Sequence, residues 1–147
     1  MFTPAHLYAL SENVDYIQIM TYDYRSDDIT GVAPYNWVEQ SLVAVLEHSP
    51  ELGKYVMIGL NHYGYEFIGH SAQPIQFDRY IENLKRTDSK LEWDSKAKEH
   101  VLKFGDTQIY YPSLTSIEMR MNLAREYGVG VAVWDFGQGL NYFTQLL

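Results

Sequence analysis

The sequence predicts an α/β chain whose centre is a small parallel sheet. Three observations carry that prediction. Compact apolar runs without polar alternation stand at residues 14–22, 55–60 and 129–134, as expected of strands covered on both faces. Stretches with helical apolar spacing separate them, and Gly, Asn or Asp punctuates their ends. Strand and helix in alternation form βαβ units, whose right-handed crossovers leave the strands parallel. The length of 147 residues suits one domain, and the 46% apolar fraction excludes a disordered chain.

The first element is a short helix, with Thr3 as N-cap, Pro4 as first helical residue and Leu7, Tyr8 and Leu10 as its apolar face. Residues 14–22, VDYIQIMTY, then read as a buried strand, closed by the polar stretch that starts at Asp23. Asn36 with Glu39 makes a capping box, and Val38, Leu42, Val45 and Leu46 recur at helical spacing as far as Ser49 and Pro50. The second strand, YVMIGL at 55–60, ends at Asn61, His62, Tyr63 and Gly64. Thr115 and Glu118 form another capping box, ahead of a helix lined by Ile117, Met121 and Ala124, with Gly128 at C′. VGVAVW at 129–134 is the third strand, and residues 139–147 begin a last helix with Leu140, Phe143 and Leu147 on one face.

Residues 61–114 are too long for a plain loop. Residues 77–86 read as helical, and Gly105 with Asp106 closes a hairpin between 98–104 and 107–111. A small α+β insertion over about 64–114 therefore follows the second strand. The charges of both signs over 85–98 read as its solvated face. Three parallel strands leave two apolar edges unpaired, and such edges demand a cover, so the sheet reads as part of a larger one.

Charge and residue counts narrow the function. With 11 basic and 19 acidic residues, a net charge of −8 and no Lys or Arg cluster, nucleic acid is excluded as a partner. The absence of cysteine removes disulfides, thiolate metal sites and thiol nucleophiles. His6, His48, His62, His70 and His100 show no ligand spacing and read as surface or rim residues, so no metal is expected. No cofactor is expected either: Gly128 and Gly130 precede a strand, whereas a dinucleotide loop follows one. No apolar run reaches the roughly 18 residues of a membrane span, and we expect neither an anchor nor an export signal within these residues.

Parallel α/β sheets bind ligands at the carboxyl ends of their strands. Here those ends are residues 20–23, residues 61–64, and Trp134 with Asp135, which should share one rim. Each brings an aromatic ring and two bring a carboxylate, which suits a sugar: rings stack on pyranose C–H faces and carboxylates take hydroxyls. Thirteen Tyr and three Trp fit the same reading. Glu66, the other acid near this rim, reads as a solvent-exposed loop residue.

VDYIQIMTYDY resembles the sixth barrel strand of glycoside hydrolase family 18, the chitinase family, with its Met-x-Tyr-Asp signature at residues 20–23. YVMIGLNHYGYEF is similar to the family's seventh strand, and GVGVAVWDFGQG to its eighth, which ends in a Trp that floors the substrate. YPSL at 111–114, GVGV at 128–131 and GQGL with Tyr-Phe at 137–143 resemble a chitinase-like lectin branch of that family. The resemblance covers essentially the whole chain.

It implies a single partial domain over 1–147: the C-terminal part, about strands six to eight, of a (β/α)8 TIM barrel, with the α+β insertion as a shortened family feature. It implies a chitin-type N-acetylglucosamine oligosaccharide as ligand. In active members the substrate's own acetamido group is the nucleophile. By that likeness Tyr22 would hydrogen-bond the acetamido carbonyl, Asp23 would bind the central sugar and Trp134 would lie beneath it. Met20 would pack alongside, with Asn61 and Tyr63 on the adjoining wall. It also implies a secretory or lysosomal protein, although no signal peptide is read in this chain.

One departure decides the expected activity. The family's general acid closes an Asp-x-x-Asp-x-Asp-x-Glu pattern on the fourth strand, and these residues hold no such pattern. The expectation is a chain that starts after the fifth strand, carries no catalytic residue and binds saccharide without cleaving it. General acid catalysis alone is worth about 10²–10⁴-fold. Three alternatives stand beside this: an acid supplied by a missing N-terminal part, a hydrolase using Asp23, Asp135 or Glu66, and a segment that only completes a barrel. The free strand edges would then meet an N-terminal barrel partner or a second copy.

Overall fold

The computed structural model describes residues 3–47, 49–135 and 137–146. The expectations for His48 and Leu147 lie outside the described residues. Pro4–Ser11 forms α1, entered through Thr3 as expected. Only Leu7 of its expected apolar face is buried, while Tyr8 and Leu10 remain exposed. Strand β1 spans Ile17–Ile19, α2 spans Tyr35–Leu46 and β2 spans Val56–Asn61, after a 3₁₀ turn at Pro50–Tyr55. The long excursion then contributes β3 (Gly64–Ile68), β4 (Ser71–Ile75), α3 (Phe77–Leu84), β5 (Lys90–Asp94), β6 (Glu99–Phe104) and β7 (Thr107–Tyr110). Helix α4 (Leu114–Tyr127), β8 (Gly130–Trp134) and a 3₁₀ segment at Asn141–Leu146 complete the order.

The main sheet has the order β1-β2-β8, and both pairings are parallel. Strand register sorts its residues onto two faces. Ile17, Ile19, Val56, Ile58, Leu60 and Val131 point to one side, where they pack into the principal core with Val38, Leu42 and Val45 of α2 and Ile117, Met121 and Ala124 of α4. Gln18, Met57, Gly59, Asn61, Gly130, Ala132 and Trp134 share the other side. That second face carries small and polar residues beside the large apolar Met57 and Trp134, and among the described residues no helix covers it. The strands read as buried are therefore half-covered: Gln18, Gly130 and Trp134 are exposed, and so is Met20 just past β1.

Two helix starts differ from their sequence readings. Helix α2 begins at Tyr35 behind the extended residue Pro34, which puts Asn36 inside the first turn. The amide of Tyr35 donates to the Ala97 carbonyl at 3.0 Å, so a tertiary contact replaces the expected side-chain cap. In α4 the capping box is Ser113 with Ser116, two residues ahead of Thr115 and Glu118: the Ser113 amide donates to Ser116 Oγ at 2.9 Å and the Ser116 amide to Ser113 Oγ at 3.3 Å. Gly128 closes α4 in the left-handed region, φ 64°, as its position predicted. The last helix is a 3₁₀ segment.

The insertion is richer in strands than its sequence reading. Its antiparallel sheet has the order β4-β3-β7-β6-β5, and the β6–β7 hairpin turns at Gly105 and Asp106 as expected. One face sends Leu102 and Ile109 into the principal core. The other packs Tyr65, Val101 and Tyr110 against Val32 and Ala97, forming a second cluster. The charges over 85–98 form the solvated face expected of them, with Lys85, Arg86, Asp88 and Lys90 exposed, although residues 90–94 are ordered as edge strand β5 and Asp94 turns inward to accept the Tyr110 hydroxyl and the Lys96 and Ala97 amides. One reading of a charged residue is corrected here. Glu66 lies within β3 at 1% exposure, on the side opposite Tyr65, where Gln73 Nε2 at 2.7 Å and Arg79 Nη2 at 3.2 Å hold its carboxylate. It ties α3 to the sheet and has no access to the rim.

A buried ion pair joins the two units. Glu99 accepts the Val32 and Ala33 amides at 2.9 and 2.8 Å and meets Arg120 of α4 at 3.2 Å. Arg120 also donates to the carbonyls of Ala33, Ala97, Lys98 and Ser116. Every charge in this knot is answered by a hydrogen bond, which is the condition for burying one.

Candidate functional site

The carboxyl ends of β1, β2 and β8 converge on one rim. Thr21, 1% exposed, donates its hydroxyl to the Gly59 carbonyl at 2.8 Å and pins the chain where it leaves β1. Tyr22 then lays its ring across the uncovered sheet face above Gly59, where a Cβ would run into the ring. Asp23 takes the left-handed conformation, φ 60°, which Asp tolerates better than most residues. That turn sends its carboxylate to the rim, exposed, where it accepts the Tyr63 hydroxyl at 2.5 Å.

Burial first, and then the hydrogen bond to Asp23, push the Tyr63 hydroxyl far above the ordinary tyrosine range. It therefore stays protonated and serves as a fixed donor. Burial also raises Tyr22, helped by the nearby Asp23 charge. Asn61 donates from Nδ2 to the Tyr63 carbonyl at 2.8 Å, fixing the turn between β2 and β3. Trp134 ends β8, joined to Asp135 by a cis peptide bond, and its ring lies parallel to that of Tyr22, 6.5 Å between centroids and 15° between planes. Tyr22 and Tyr63 meet edge to face at 6.5 Å. Trp134 remains 52% exposed, an indole face free to stack.

Five of the six residues expected at the site, Tyr22, Asp23, Asn61, Tyr63 and Trp134, are thus linked through hydrogen bonds or ring contacts. Met20 is 70% exposed and makes no contact with that cluster among the described interactions. A cleft of about 330 Å³ opens beside the cluster, lined by Asp23, Tyr63 and Trp134 and also by Tyr65, Pro74 and Gln138. His62, expected at the surface or rim, is buried at 6% exposure beneath Gly139, with its ring 5.0 Å from that of Phe143. Asp135 keeps one carboxylate oxygen buried without a hydrogen bond among the described residues. No group of three or more His, Asp or Glu among the described residues is arranged to hold a metal ion.

The model of the glycosyl hydrolases family 18 matches residues 2–139. The chain belongs to that family. Solved structures agree on the fold. The glycosyl hydrolase 18 chain superposes on a chitinase from Chromobacterium violaceum with a TM-score of 0.82 at 21% identity, covering 95% of this chain and 46% of that one. It superposes on the spore cortex-lytic enzyme SleL of Bacillus cereus with a TM-score of 0.81 at 21% identity, covering 95% of this chain and 35% of that one. A class V chitinase mutant from Nicotiana tobaccum, solved in complex with NAG4, gives a TM-score of 0.76 at 15% identity, with 95% and 51% covered. The chain spans about half the length of these structures or less.

Sequence reasoning missed the wall that the insertion gives this cleft. Tyr63, Tyr65 and Phe67 form a file of rings at 6.1 and 6.0 Å spacing, which turns the rim cluster into a longer surface. The signal was present: the period-2 spacing of these rings marks a strand running on past Gly64, with all three rings on one face. Gly64 makes that continuation possible, because a Cβ there would strike the Tyr110 carbonyl and the Tyr111 ring.

Proposed function

We propose that this chain is the C-terminal part of a family 18 barrel and forms one wall of a groove for N-acetylglucosamine oligosaccharides, which it binds without cleaving. The observation that carries the reading is the pairing of a half-exposed Trp134 with the Asp23 carboxylate in one cleft, each held by a buried tyrosine. A pyranose ring needs an aromatic face beneath its C–H groups and fixed polar atoms at its edge, and this pair offers both. The sequence lacks the family's Asp-x-x-Asp-x-Asp-x-Glu acid, and Glu66 is committed to Gln73 and Arg79, so no general acid is assigned within these residues. The chitinase complex with NAG4 supports an oligosaccharide of that type as the ligand.

The test is calorimetric titration of the chain with N-acetylglucosamine tetramer. Trp134→Ala is expected to weaken binding by about tenfold or more, in keeping with the roughly 1.4 kcal/mol that a tenfold change represents. A loss of less than a few-fold overturns the reading. Turnover of a fluorogenic chitobioside above the buffer rate overturns its non-catalytic part.

A second reading, barrel completion, is favoured by the uncovered sheet face and the two free edges of β1 and β8. In it the remaining strands pair with those edges and an acid, where one operates, comes from the partner half.

A further inference from the structure

We infer that Arg25 makes this cleft selective for amino-sugar oligomers that carry a carboxylate on the unit next to the Trp134 position. The inference rests on the saccharide reading above and names the substrate class of that same site.

Arg25 donates from Nη2 to the Tyr65 hydroxyl at 2.9 Å, and its guanidinium carbon lies 4.7 Å from the Tyr65 ring centroid. Tyr65 lines the cleft that holds Asp23 and Trp134. Arg25 itself lines a second cleft of about 550 Å³, together with Tyr24, Ile29 and Phe67. The guanidinium therefore stands where the two clefts adjoin, one step along the file of rings from Tyr63 to Phe67.

Its bonding leaves capacity. A guanidinium has five N–H donors in a rigid fork, and only one hydrogen bond from Arg25, the one to Tyr65, is made among the described residues. Asp27 and Asp28 line the same second cleft, yet Arg25 forms no ion pair within 4.0 Å among the described residues. Arg79, Arg86 and Arg120 are each paired with an acid. Arg25 is thus a cation held by Tyr65 of the saccharide cleft, itself lining the adjoining cleft, with its fork uncommitted in a chain of net charge −8. The group that matches a free guanidinium fork is a carboxylate, taken in two parallel hydrogen bonds. Neutral sugar hydroxyls satisfy single donors and give such a fork no advantage over an amide.

The experiment is calorimetric titration of the 147-residue chain with three tetrasaccharides at low and high salt. One is the neutral N-acetylglucosamine tetramer, one alternates N-acetylglucosamine with its 3-O-lactyl ether, and one alternates N-acetylglucosamine with glucuronate. Roughly five- to tenfold tighter binding of at least one carboxylate oligomer than of the neutral one is expected, falling with salt. The two carboxylate arms tell a lactyl source from a uronate source.

Arg25→Gln should abolish that preference and leave binding of the neutral tetramer within twofold, and Arg25→Lys should retain only part of it. Equal affinity for all three oligomers overturns the inference. So does a preference that survives Arg25→Gln, or an equal loss for neutral and charged oligomers. If Trp134→Ala leaves binding intact while Arg25→Gln still removes the carboxylate preference, the stacking reading fails and the Arg25 inference stands. If no oligomer binds, both fall.

Discussion

His62 shows how a single ring ties the site to the end of the chain. Its backbone amide donates to the Trp134 carbonyl at 2.8 Å, its ring meets Phe143, and Gly139 passes so close that a Cβ there would strike Nδ1. Burial lowers the affinity of this imidazole for a proton relative to its ordinary value of 6.5, and burial acts on His100 in the same direction. The fold therefore favours the neutral rings, while the unfolded chain takes up protons at the ordinary value. The stability held this way is fully present above about pH 6.5 and is lost as the pH falls through the lower folded values. Urea unfolding at about pH 7.5 and 5.5 should show the loss, and His62→Phe, which keeps the ring and removes the titration, should reduce it. An unchanged pH dependence in that variant would assign the effect elsewhere. Nothing in the sequence marked His62 as buried, because its burial is made by Gly139 and Phe143, far along the chain.

Between elements, the Glu99–Arg120 knot is the contact through which the insertion, the segment after β1 and α4 hold one another. Burial pushes the Glu99 carboxyl up and the Arg120 guanidinium down, each against the pull of its partner, so the pair survives only while both members are present. Arg120→Met is expected to cost about 3–5 kcal/mol, because it strands a buried carboxylate. Adding Glu99→Leu to that variant should recover part of the loss, and a double-mutant cycle by urea unfolding measures it. This knot was invisible in the sequence, where Glu99 and Arg120 look like ordinary surface charges. The parts that were legible are those governed by local rules. Val38, Leu42, Val45 and Leu46 are buried on α2 as their spacing required, and Gly128 closes α4. The caps of α2 and α4 were misread because the Ala97 carbonyl and the Ser113–Ser116 pair outcompete the motifs that look strongest on paper.

Across the whole molecule, the uncovered sheet face is the dominant surface feature. Met20, Trp134 and Tyr16 are 70%, 52% and 62% exposed around a sheet whose outer strands each pair on one side only. Free parallel edges beside apolar side chains are templates for association. The isolated chain should sediment as dimers or larger species at micromolar concentration, and co-expression with the preceding barrel segment of a family member should shift it to a discrete complex. A stable monomer would show that the face tolerates water. The parallel strands and their common rim were legible from composition and order. The cleft wall was missed although the period-2 spacing of Tyr63, Tyr65 and Phe67 carried it, because β3 follows β2 after only two residues and the reading of the rim stopped at Gly64.

The insertion leaves and returns through adjacent strands, since β3 pairs with β7, placing Tyr65 opposite Tyr110. That arrangement bears on how the chain finds its fold. Pairing β2 with β8 joins residues 57 and 130, a distant closure that is slow and costly for a flexible chain. The contacts of the β3–β4 and β6–β7 hairpins are short in sequence and can form early. When β3 then pairs with β7, a shorter closure than that of β2 with β8, the two ends of the excursion are held side by side, and β8 searches for β2 from the end of a short tether. The element that walls the cleft in the finished molecule is then also the one that hastens its last strand into place.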